Sequence, residues 1–443
     1  MKQKLFVLSM DAMVGEDIEY LRTRPNFKRL MEHCCQIQAV QTIYPSITYP
    51  AHASMITGCK PGRHGVYNNT KFPTDKTYPD WYLYTDDIFK VEDLFAAAKR
   101  AGCTTGNVYW PIMGNNKNID YNINEYFFYD KPEAMFDGEK TVKAYMEMGA
   151  SEETAEAIRD NLDRIPSEYR HRVGPLRLNH TFDHFINGCI CSLIRRYQPD
   201  VLVAHNCILD TLRHRNGVFN EFVTWGLDMT DYWLGEIIDS MSAAGVLENT
   251  NFVIVSDHGQ MNFSRRLKPN VMFARKGWLK VGPDGKPTPD SKVVSQSNGM
   301  SDSIYVRDKS LLKEVHEYLN KLASEEVWGF SEVFTTEEVD KLYGWSGPFD
   351  FVIETDGYTT YSDDCKEPLV APIDLSDYRL GKATHGYRPE KGPQPVFVAV
   401  GPAFRKDVTI PFAYTIDEAP TFARILGQSL PQADGRVIQE ILA

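Results

Sequence analysis

The sequence predicts an α/β protein with a mostly parallel central sheet flanked by helices and an inserted peripheral lobe. Through the first two hundred residues, short apolar runs alternate with segments of helical periodicity, which is the pattern of βαβ units. The alternation returns at the C-terminal end. Between 263 and 382, Pro, Gly and charged residues become more frequent and the alternation is lost. We therefore expect a core formed by residues 1–262 and 383–443 and a lobe over 263–382.

The individual elements follow from periodicity and from helix-breaking residues. Strands are expected at 5–10, 38–43, 104–110, 201–204, 251–256, 303–306, 350–354 and 395–400. Helices are expected at 25–34, 51–57, 91–101, 152–162, 178–197, 222–244 and 418–426. Pro50 should be the first residue of the second helix, and Gly58 should end it.

The bulk properties exclude several classes of protein. The 443 residues are 42% hydrophobic and carry a net charge of −12, so a large core is available but the basic surface of a nucleic-acid scaffold is not. Eight cysteines without paired spacing favour buried thiols over a disulfide framework. No run approaches the roughly 18 apolar residues of a membrane span, and the N-terminal run is too short for a signal peptide. We expect a cytoplasmic protein that is not bound to a membrane.

Carboxylate and imidazole side chains flank several of the predicted strands. Because parallel strands of an open sheet end at a common edge, these side chains should lie close together. Their mixture of oxygen and nitrogen donors suits a borderline divalent cation such as zinc, although manganese or iron could occupy the same site. The residues concerned are Asp11, Asp210, His214, Asp257, His258 and His385.

Each of these residues also has a simpler interpretation. Asp210 and His214 could be a surface pair on one helix face, and His385 could be a loop histidine. His52 and His64 are expected to be structural or to orient ligands.

Thr48 lies where the helix at 51–57 should begin, so its hydroxyl is a candidate nucleophile. Free backbone N–H groups and the helix dipole favour negative charge there, which helps to bind a phosphate and to stabilise an alkoxide beside a divalent cation. The alternative is an ordinary N-cap, worth about 1 kcal/mol. Ser46 and Thr42 are weaker candidates because they lie farther from the helix start.

These motifs occur in the order seen in the alkaline phosphatase superfamily, and the chain resembles most closely its nucleotide pyrophosphatase/phosphodiesterase branch. The resemblance covers about residues 1–112, 198–262 and 382–443 and covers the lobe poorly. It implies an alkaline phosphatase-like fold. The motifs are Asp11, Thr48-Tyr-Pro-Ala-His-Ala-Ser-Met-Ile-Thr-Gly58, Arg63-His-Gly65, Asp210-x-x-x-His214, Asp257-His-Gly259 and His385-Gly386.

The resemblance implies a hydrolase of phosphodiester or phosphoanhydride bonds that uses two divalent cations, with zinc favoured. Thr48 would attack phosphorus and form a phospho-threonine intermediate that water releases, with overall retention at phosphorus. The substrate would be a small phosphodiester or a nucleotide. One cation would be held by Asp11, Thr48, Asp257 and His258, and the other by Asp210, His214 and His385.

Three further residues carry the expected contacts to substrate. Asn69 matches the asparagine that donates to a non-bridging phosphoryl oxygen, with Asn68 as the alternative register. Tyr49 matches an aromatic residue that stacks on a nucleobase or leaving group, although it could equally be a core residue. His205 stands where many members of the branch have a tyrosine, five residues before the metal aspartate, which weakens the expectation of a nucleobase sandwich.

That departure keeps other functions open. The first alternative is a phosphomonoesterase or phosphonate hydrolase on the same scaffold. A catalytically inactive binding protein is a further alternative, but it should lack the nucleophile or a ligand, and the sequence contains all of them.

Overall fold

The computed structural model describes residues 3–72, 89–127, 138–165, 182–375 and 381–443, and the backbone of 80 and 81. Its strands are β1 (Lys4–Met10), β2 (Cys35–Gln41), β3 (Thr70–Lys71), β4 (Asp80–Trp81), β5 (Thr105–Val108), β6 (Tyr121–Ile123), β7 (Val201–Asn206), β8 (Thr250–Val255), β9 (Met261–Asn262), β10 (Arg265–Leu267), β11 (Val293–Ser297), β12 (Ser301–Val306), β13 (Phe330–Thr335), β14 (Phe351–Thr355), β15 (Thr359–Tyr361), β16 (Val370–Ala371), β17 (Ala383–Thr384), β18 (Phe397–Val400) and β19 (Thr409–Tyr414).

The α-helices surround these strands in sequence and in space. They are α1 (Gly15–Leu21), α2 (Pro25–Met31), α3 (Thr48–Thr57), α4 (Pro61–His64), α5 (Leu94–Arg100), α6 (Gly138–Glu147), α7 (Ala155–Arg159), α8 (Phe182–Arg196), α9 (Ile208–Asn216), α10 (Glu221–Ala243), α11 (Pro269–Arg275), α12 (Leu312–Ser324), α13 (Thr336–Tyr343) and α14 (Glu418–Ile425). Within the described ranges, no helix is both long and apolar enough to cross a bilayer.

The central sheet has eight strands in the order β19-β2-β18-β8-β1-β7-β5-β6. All neighbouring pairs are parallel except the two that involve β18. Val7 in the middle of β1 pairs with Val203 on one side and Val253 on the other. The predicted α/β class with a mostly parallel sheet is confirmed.

Both faces of this sheet are covered, which explains why its central strands are apolar without interruption. Along β1, Phe6 and Leu8 belong to the core on one face, together with helices α2, α8 and α10. Leu5 and Val7 point to the opposite face, whose core includes side chains from α5 and α14. The alternation of side chains along the strand therefore fills two hydrophobic layers at once.

The stretch 263–382 forms smaller sheets on its own core. Strands β11, β12, β14 and β13 make a four-stranded antiparallel sheet, and its apolar face packs against α11 and α12. The short pair β9 and β17 joins the two ends of this stretch. Whether the stretch is a separate domain stays a prediction.

Several predicted bounds are wrong for local reasons. The helix predicted at 152–162 is interrupted, because Asn161 turns its side chain back onto the Ala157 carbonyl, 2.7 Å away, and onto the Ser192 hydroxyl, 2.9 Å away. The strand predicted at 104–110 ends at Val108 because Tyr109 has a φ of 66°. The strand predicted at 38–43 is shifted to Cys35–Gln41. Residues 178–181 of the predicted helix at 178–197 lie outside the described residues.

Candidate metal centre and active site

The candidate ligands meet at the carboxyl-terminal edge of the central sheet. Asp11 directly follows β1, and Asp257 and His258 follow its neighbour β8. Asp210 and His214 lie on α9, which follows β7 on the other side of β1. His385 comes directly after β17 and is 8% exposed. The order of the strands thus gathers residues from four parts of the chain.

One group forms around His258. Its Nε2 lies 3.1 Å from Asp257 Oδ2 and 3.6 Å from Asp11 Oδ1. The Thr48 hydroxyl oxygen lies 3.2 Å from the same nitrogen. Ligand atoms of Asp11, Asp257 and His258 all fall within 4.8 Å of one another, close enough to share one ion.

A second group forms around Asp210. Its Oδ1 lies 3.2 Å from His214 Nε2 and 3.7 Å from His385 Nε2. The two groups adjoin, since the rings of His258 and His385 stack with their centroids 4.0 Å apart. The alternative interpretations of Asp210, His214 and His385 as a surface pair and a loop histidine do not agree with this buried arrangement.

Thr48 is the first residue of α3, and Ile47 is the N-cap. Pro50 is therefore the third helical residue, not the first as predicted; a proline is tolerated there because the first-turn N–H groups have no partner within the helix. Because Ile47, and not Thr48, occupies the N-cap position, an N-cap role does not explain this residue. It faces the group around His258 instead.

The buried carboxylates repel one another. Burial, followed by the charges of Asp257 and Asp210, raises the pKa of Asp11 well above its ordinary value. Burial raises the pKa of Asp257 to about 8, and Asp210 adds to the effect. Burial alone would raise the pKa of Asp210, but the neighbouring imidazoles lower it below its ordinary value. Burial lowers the pKa of His385 to about 4, which leaves a neutral imidazole with a free lone pair.

These residues fit divalent cations. Among the side chains that the structure describes, Asp11 Oδ1 and Asp257 Oδ2 are buried and accept no hydrogen bond. Such oxygens are costly unless something positive contacts them. Crowded carboxylates beside neutral imidazoles form a donor set that bound cations stabilise by removing the repulsion.

A model of the type I phosphodiesterase/nucleotide pyrophosphatase family matches residues 5–388. The chain belongs to this family. The resemblance to the alkaline phosphatase superfamily is thereby confirmed, and the family uses two divalent metal ions.

Curated relatives are nucleotide pyrophosphatases and phosphodiesterases, which supports an enzyme of this class. A bis(5′-adenosyl)-triphosphatase of Xenopus laevis is 22% identical over 448 residues, covering 96% of this chain and 78% of the relative. Human ectonucleotide pyrophosphatase/phosphodiesterase family member 5 is 22% identical over 446 residues, covering 96% of this chain and 74% of its own length. Human member 1 is 23% identical over 260 residues, which are 55% of this chain and 22% of that protein.

Solved structures show the same fold. Murine ectonucleotide pyrophosphatase/phosphodiesterase 5 superimposes with a TM-score of 0.67 at 17% identity, over all of both chains. A second structure of the murine protein is an inactive threonine-to-alanine variant in complex with AMP, again with a TM-score of 0.67. The human counterpart matches with 18% identity and a TM-score of 0.67.

Within this phosphodiesterase fold, the two candidate asparagines have different surroundings. Asn69 Oδ1 accepts the backbone N–H of Tyr49 at 2.8 Å, which holds the half-buried Asn69 against the start of α3. Asn68 is buried, and its amide donates to Asn298 Oδ1 at 2.5 Å. Asn69 is thus the one beside Thr48, as the first register predicts, although its role stays a prediction.

Tyr49 and His205 are more enclosed than their predicted contacts with substrate require. Tyr49 is 4% exposed, packs with Ala53, Val66 and Ile112, and donates its hydroxyl to Glu125 Oε2 at 2.5 Å. This placement agrees with the core interpretation of the ring. Their binding of substrate stays a prediction.

His205 is fully buried beside Asp11, with Nε2 3.2 Å from Asp11 Oδ2. With Cys207 the two residues form a third set of potential ligands. The Cys207 sulfur, however, lies 3.8 Å from Nδ1 and 3.9 Å from Nε2 of the His205 ring. Because the two distances are nearly equal, the sulfur does not lie along the direction in which Nε2 would bind an ion. Burial also raises the pKa of the Cys207 thiol well above its usual range. His205 thus contacts Asp11, and its predicted contact with substrate stays a prediction.

Other residues hold the ligands in place, and the sequence points to few of them. Gln260 donates to Asp210 Oδ1 at 2.5 Å, and its only signal is its position two residues after His258. Ala12, at a φ of 57°, donates its backbone N–H to Asp257 Oδ1 at 3.2 Å. His52 lies between the Thr48 carbonyl and the Ser9 hydroxyl, each 2.9 Å away, and thus braces the first turn of α3.

Proposed function

We propose that this chain is a two-metal hydrolase that cleaves phosphodiester or phosphoanhydride bonds of small molecules through a phospho-threonine intermediate on Thr48. The observation that carries the proposal is the position of the Thr48 hydroxyl. It lies at the start of α3, 3.2 Å from His258 Nε2, where the two groups of buried carboxylates and imidazoles adjoin. A hydroxyl in that position is placed to act as a nucleophile once a neighbouring cation lowers its pKa.

The two cations would be held by separate sets of side chains. Zinc is favoured by the mixed oxygen and nitrogen donors, with manganese or iron as alternatives. When bound, the cations would neutralise phosphate charge and lower the pKa of the nucleophilic hydroxyl. The first set is Asp11, Thr48, Asp257 and His258, and the second is Asp210, His214 and His385.

The residues of the chain then have distinct tasks. The Thr48 oxygen forms a bond to phosphorus while the bond to the leaving alcohol or phosphate breaks, and water later cleaves the phospho-threonine and restores the hydroxyl. Asn69 keeps its Oδ1 on the Tyr49 amide, so its NH₂ group is the part available to donate to a non-bridging phosphoryl oxygen. The N-terminus of α3 adds backbone dipoles of the favourable sign.

Nucleotides are the first substrate class to test. The AMP complex of murine protein 5 and the triphosphatase named in Xenopus laevis support this class. The buried His205 favours the alternative, a monoesterase or phosphonate hydrolase, because a residue in that position offers no face for a base.

The test compares metal-loaded wild type with Thr48→Ala and Thr48→Ser on the diester and the monoester of p-nitrophenol and on a panel of dinucleotides. We expect Thr48→Ala to lower kcat by about 10³-fold or more and Thr48→Ser to keep a nucleophile and measurable turnover. Asn69→Ala should lower kcat/KM by about 10²-fold, whereas Asn68→Ala should change it little if the protein stays folded. Full activity of Thr48→Ala would exclude the assigned nucleophile. Faster turnover of the monoester than of every diester would favour the alternative.

A further inference from the structure

The carboxylate of Glu354 joins the lobe to two parts of the candidate active site. Glu354 lies in β14, opposite Ser301 of β12, and is fully buried. Its Oε2 accepts the Tyr44 hydroxyl at 2.8 Å, and its Oε1 accepts the Arg388 backbone N–H at 3.1 Å and lies 2.9 Å from Lys391 Nζ. Burial raises the pKa of Glu354 to about 7, and these three donors oppose the rise. Both oxygens are therefore occupied by groups from outside the lobe.

The Tyr44 contact lies at the beginning of the segment that leads to the nucleophile. Tyr44 is fully buried, and its ring packs edge-on against Trp345 of the lobe with the centroids 4.8 Å apart. Farther along, the Ile47 N–H donates to the Pro45 carbonyl at 2.8 Å, and Thr48 then begins α3. This short, internally bonded segment is thus held at one end by α3 and at the other by the lobe.

The Arg388 and Lys391 contacts hold the loop that carries His385. Lys391 Nζ also donates to the Thr355 carbonyl at 3.1 Å, so the lysine contacts two successive residues of the lobe. The Arg388 guanidinium lies 2.8 Å from both carboxylate oxygens of Glu332 in β13. The part of the loop that follows His385 is therefore attached to two neighbouring strands of the lobe.

The part of the loop at His385 itself is attached to the β11–β12 turn. The Met300 N–H donates to the His385 carbonyl at 2.8 Å. The Ser301 hydroxyl donates to the Gly386 carbonyl at 2.6 Å. Because Ser301 pairs with Glu354 across the β12–β14 ladder, the turn and the carboxylate hold the loop from one place in the sheet.

We propose that Glu354 is a positioning residue for the reaction assigned to Thr48, an inference that rests on the proposed function. Its carboxylate holds the segment of the nucleophile and the loop of His385 at a fixed separation, and its burial keeps it from substrate. A displacement of about 1 Å at reacting atoms can cost about 10²-fold in rate. Loss of the carboxylate should therefore lower kcat and leave KM nearly unchanged.

Turnover of the p-nitrophenol diester by metal-loaded variants, with the metal retained per chain after dialysis against a chelator, tests this role. Glu354→Ala should lower kcat by about 10²-fold, keep KM within about threefold of wild type and retain less metal. Glu354→Gln keeps an acceptor for the Arg388 N–H and a polar partner for the Tyr44 hydroxyl. It should recover about tenfold or more of the lost kcat.

Single variants separate the two contacts of the carboxylate. Tyr44→Phe removes one hydroxyl from the nucleophile segment, so it should lower kcat about tenfold and retain as much metal as wild type. Lys391→Met loosens the loop of His385, so it should retain less metal than wild type.

Asp350→Asn is the matched control for damage to the lobe. Asp350 lies at the far end of the same sheet, where it accepts the Val306 N–H at 2.7 Å and lies 2.5 Å from Lys309 Nζ. This variant should lower Tm and leave kcat and metal retention unchanged.

A Glu354→Ala protein with a lowered Tm, but with kcat within about twofold of wild type, would overturn the positioning role. So would a Glu354→Gln protein that loses as much kcat as Glu354→Ala. If Glu354→Ala does not fold, Tyr44→Phe decides, and an unchanged kcat in that variant rejects the proposal. An inactive Thr48→Ala beside a fully active Glu354→Ala would exclude the positioning role alone, whereas a fully active Thr48→Ala would exclude the proposed nucleophile.

Discussion

Replacing Arg213 by Met should destabilise the fold and weaken the catalytic centre together. Arg213 is fully buried, and its Nη2 lies 2.6 Å from each carboxylate oxygen of Asp17. The same guanidinium donates to the Ala12 carbonyl at 3.3 Å and the Val218 carbonyl at 3.2 Å. Because Ala12 follows Asp11 and Arg213 precedes His214, this one side chain connects the loops of both ligand groups.

The expected loss of stability follows from the buried Asp17 carboxylate that the methionine variant leaves without its ion-pair partner. Asp17 would stay buried with one donor from the described residues, the Val14 N–H at 2.8 Å. Removing one partner of a buried ion pair costs about 3–5 kcal/mol, most of it from the uncompensated charge. The double variant Asp17→Asn/Arg213→Met has no such charge, so it should be more stable than Arg213→Met alone by about 2 kcal/mol.

Urea denaturation followed by circular dichroism, with bound metal counted by mass spectrometry, measures both effects. We expect Arg213→Met to lower the free energy of unfolding by about 3–5 kcal/mol, the range for a buried ion pair that loses one partner. The variant should also retain less metal per chain than wild type. Arg213→Lys keeps the charge and should lose less. The reasoning is refuted if the free energy of unfolding of Arg213→Met stays within about 1 kcal/mol of wild type. It is also refuted if the double variant is less stable than Arg213→Met.

Two further predictions concern buried groups near the centre. Burial raises the pKa of Glu125 from 4.5 to about 8, so between these pH values the folded state keeps a proton that the unfolded state has lost. The free energy of unfolding of wild type should therefore fall as pH rises from about 4.5 to 8. At 1.36 kcal/mol per pKa unit, the fall amounts to at most about 5 kcal/mol. Glu125→Gln should lack this component when denaturation at pH 5 and pH 9 is compared, and an unchanged pH dependence would refute the assignment. Gly386→Ala should lower the Tm and disturb His385, because a Cβ would lie 1.6 Å from the Asn298 carbonyl oxygen at a φ of +94°. Gly427→Ala, at a φ of +69° with open space around it, should have a much smaller effect on Tm and none on activity.

Part of the centre could be predicted from sequence because it depends on local patterns. Asp11 and Asp257 each follow an apolar run that is too short for a helix and too apolar for a surface strand, so each should end a buried strand. Parallel strands of this kind end at one edge, and the two residues do lie around His258. The position of Thr48 follows in the same way from the start of α3.

The rest depends on contacts between distant parts of the chain. The Tyr49 hydroxyl reaches Glu125 across 76 residues of sequence, and nothing in the segment around Glu125 indicates a buried acid. The antiparallel direction of β18 is equally hidden, because an apolar run has the same composition in either direction. The sequence pattern therefore predicts which residues lie at the edge of the sheet. It does not predict which residues from distant parts of the chain they contact, because those contacts form only when the chain packs.

The loop that carries His385 connects the lobe to the catalytic centre. The Gly386 N–H donates to the Ser46 carbonyl at 2.9 Å, and the Ser46 hydroxyl donates to the Tyr387 carbonyl at 2.7 Å. This loop is therefore bonded both to the segment that leads into Thr48 and to the β11–β12 turn of the lobe. Tyr44, in the same segment, donates its hydroxyl to Glu354 of β14 at 2.8 Å. A substrate group that displaces the lobe would thus move the nucleophile and one ligand together, so variation in the lobe can alter turnover without changing any residue of the centre.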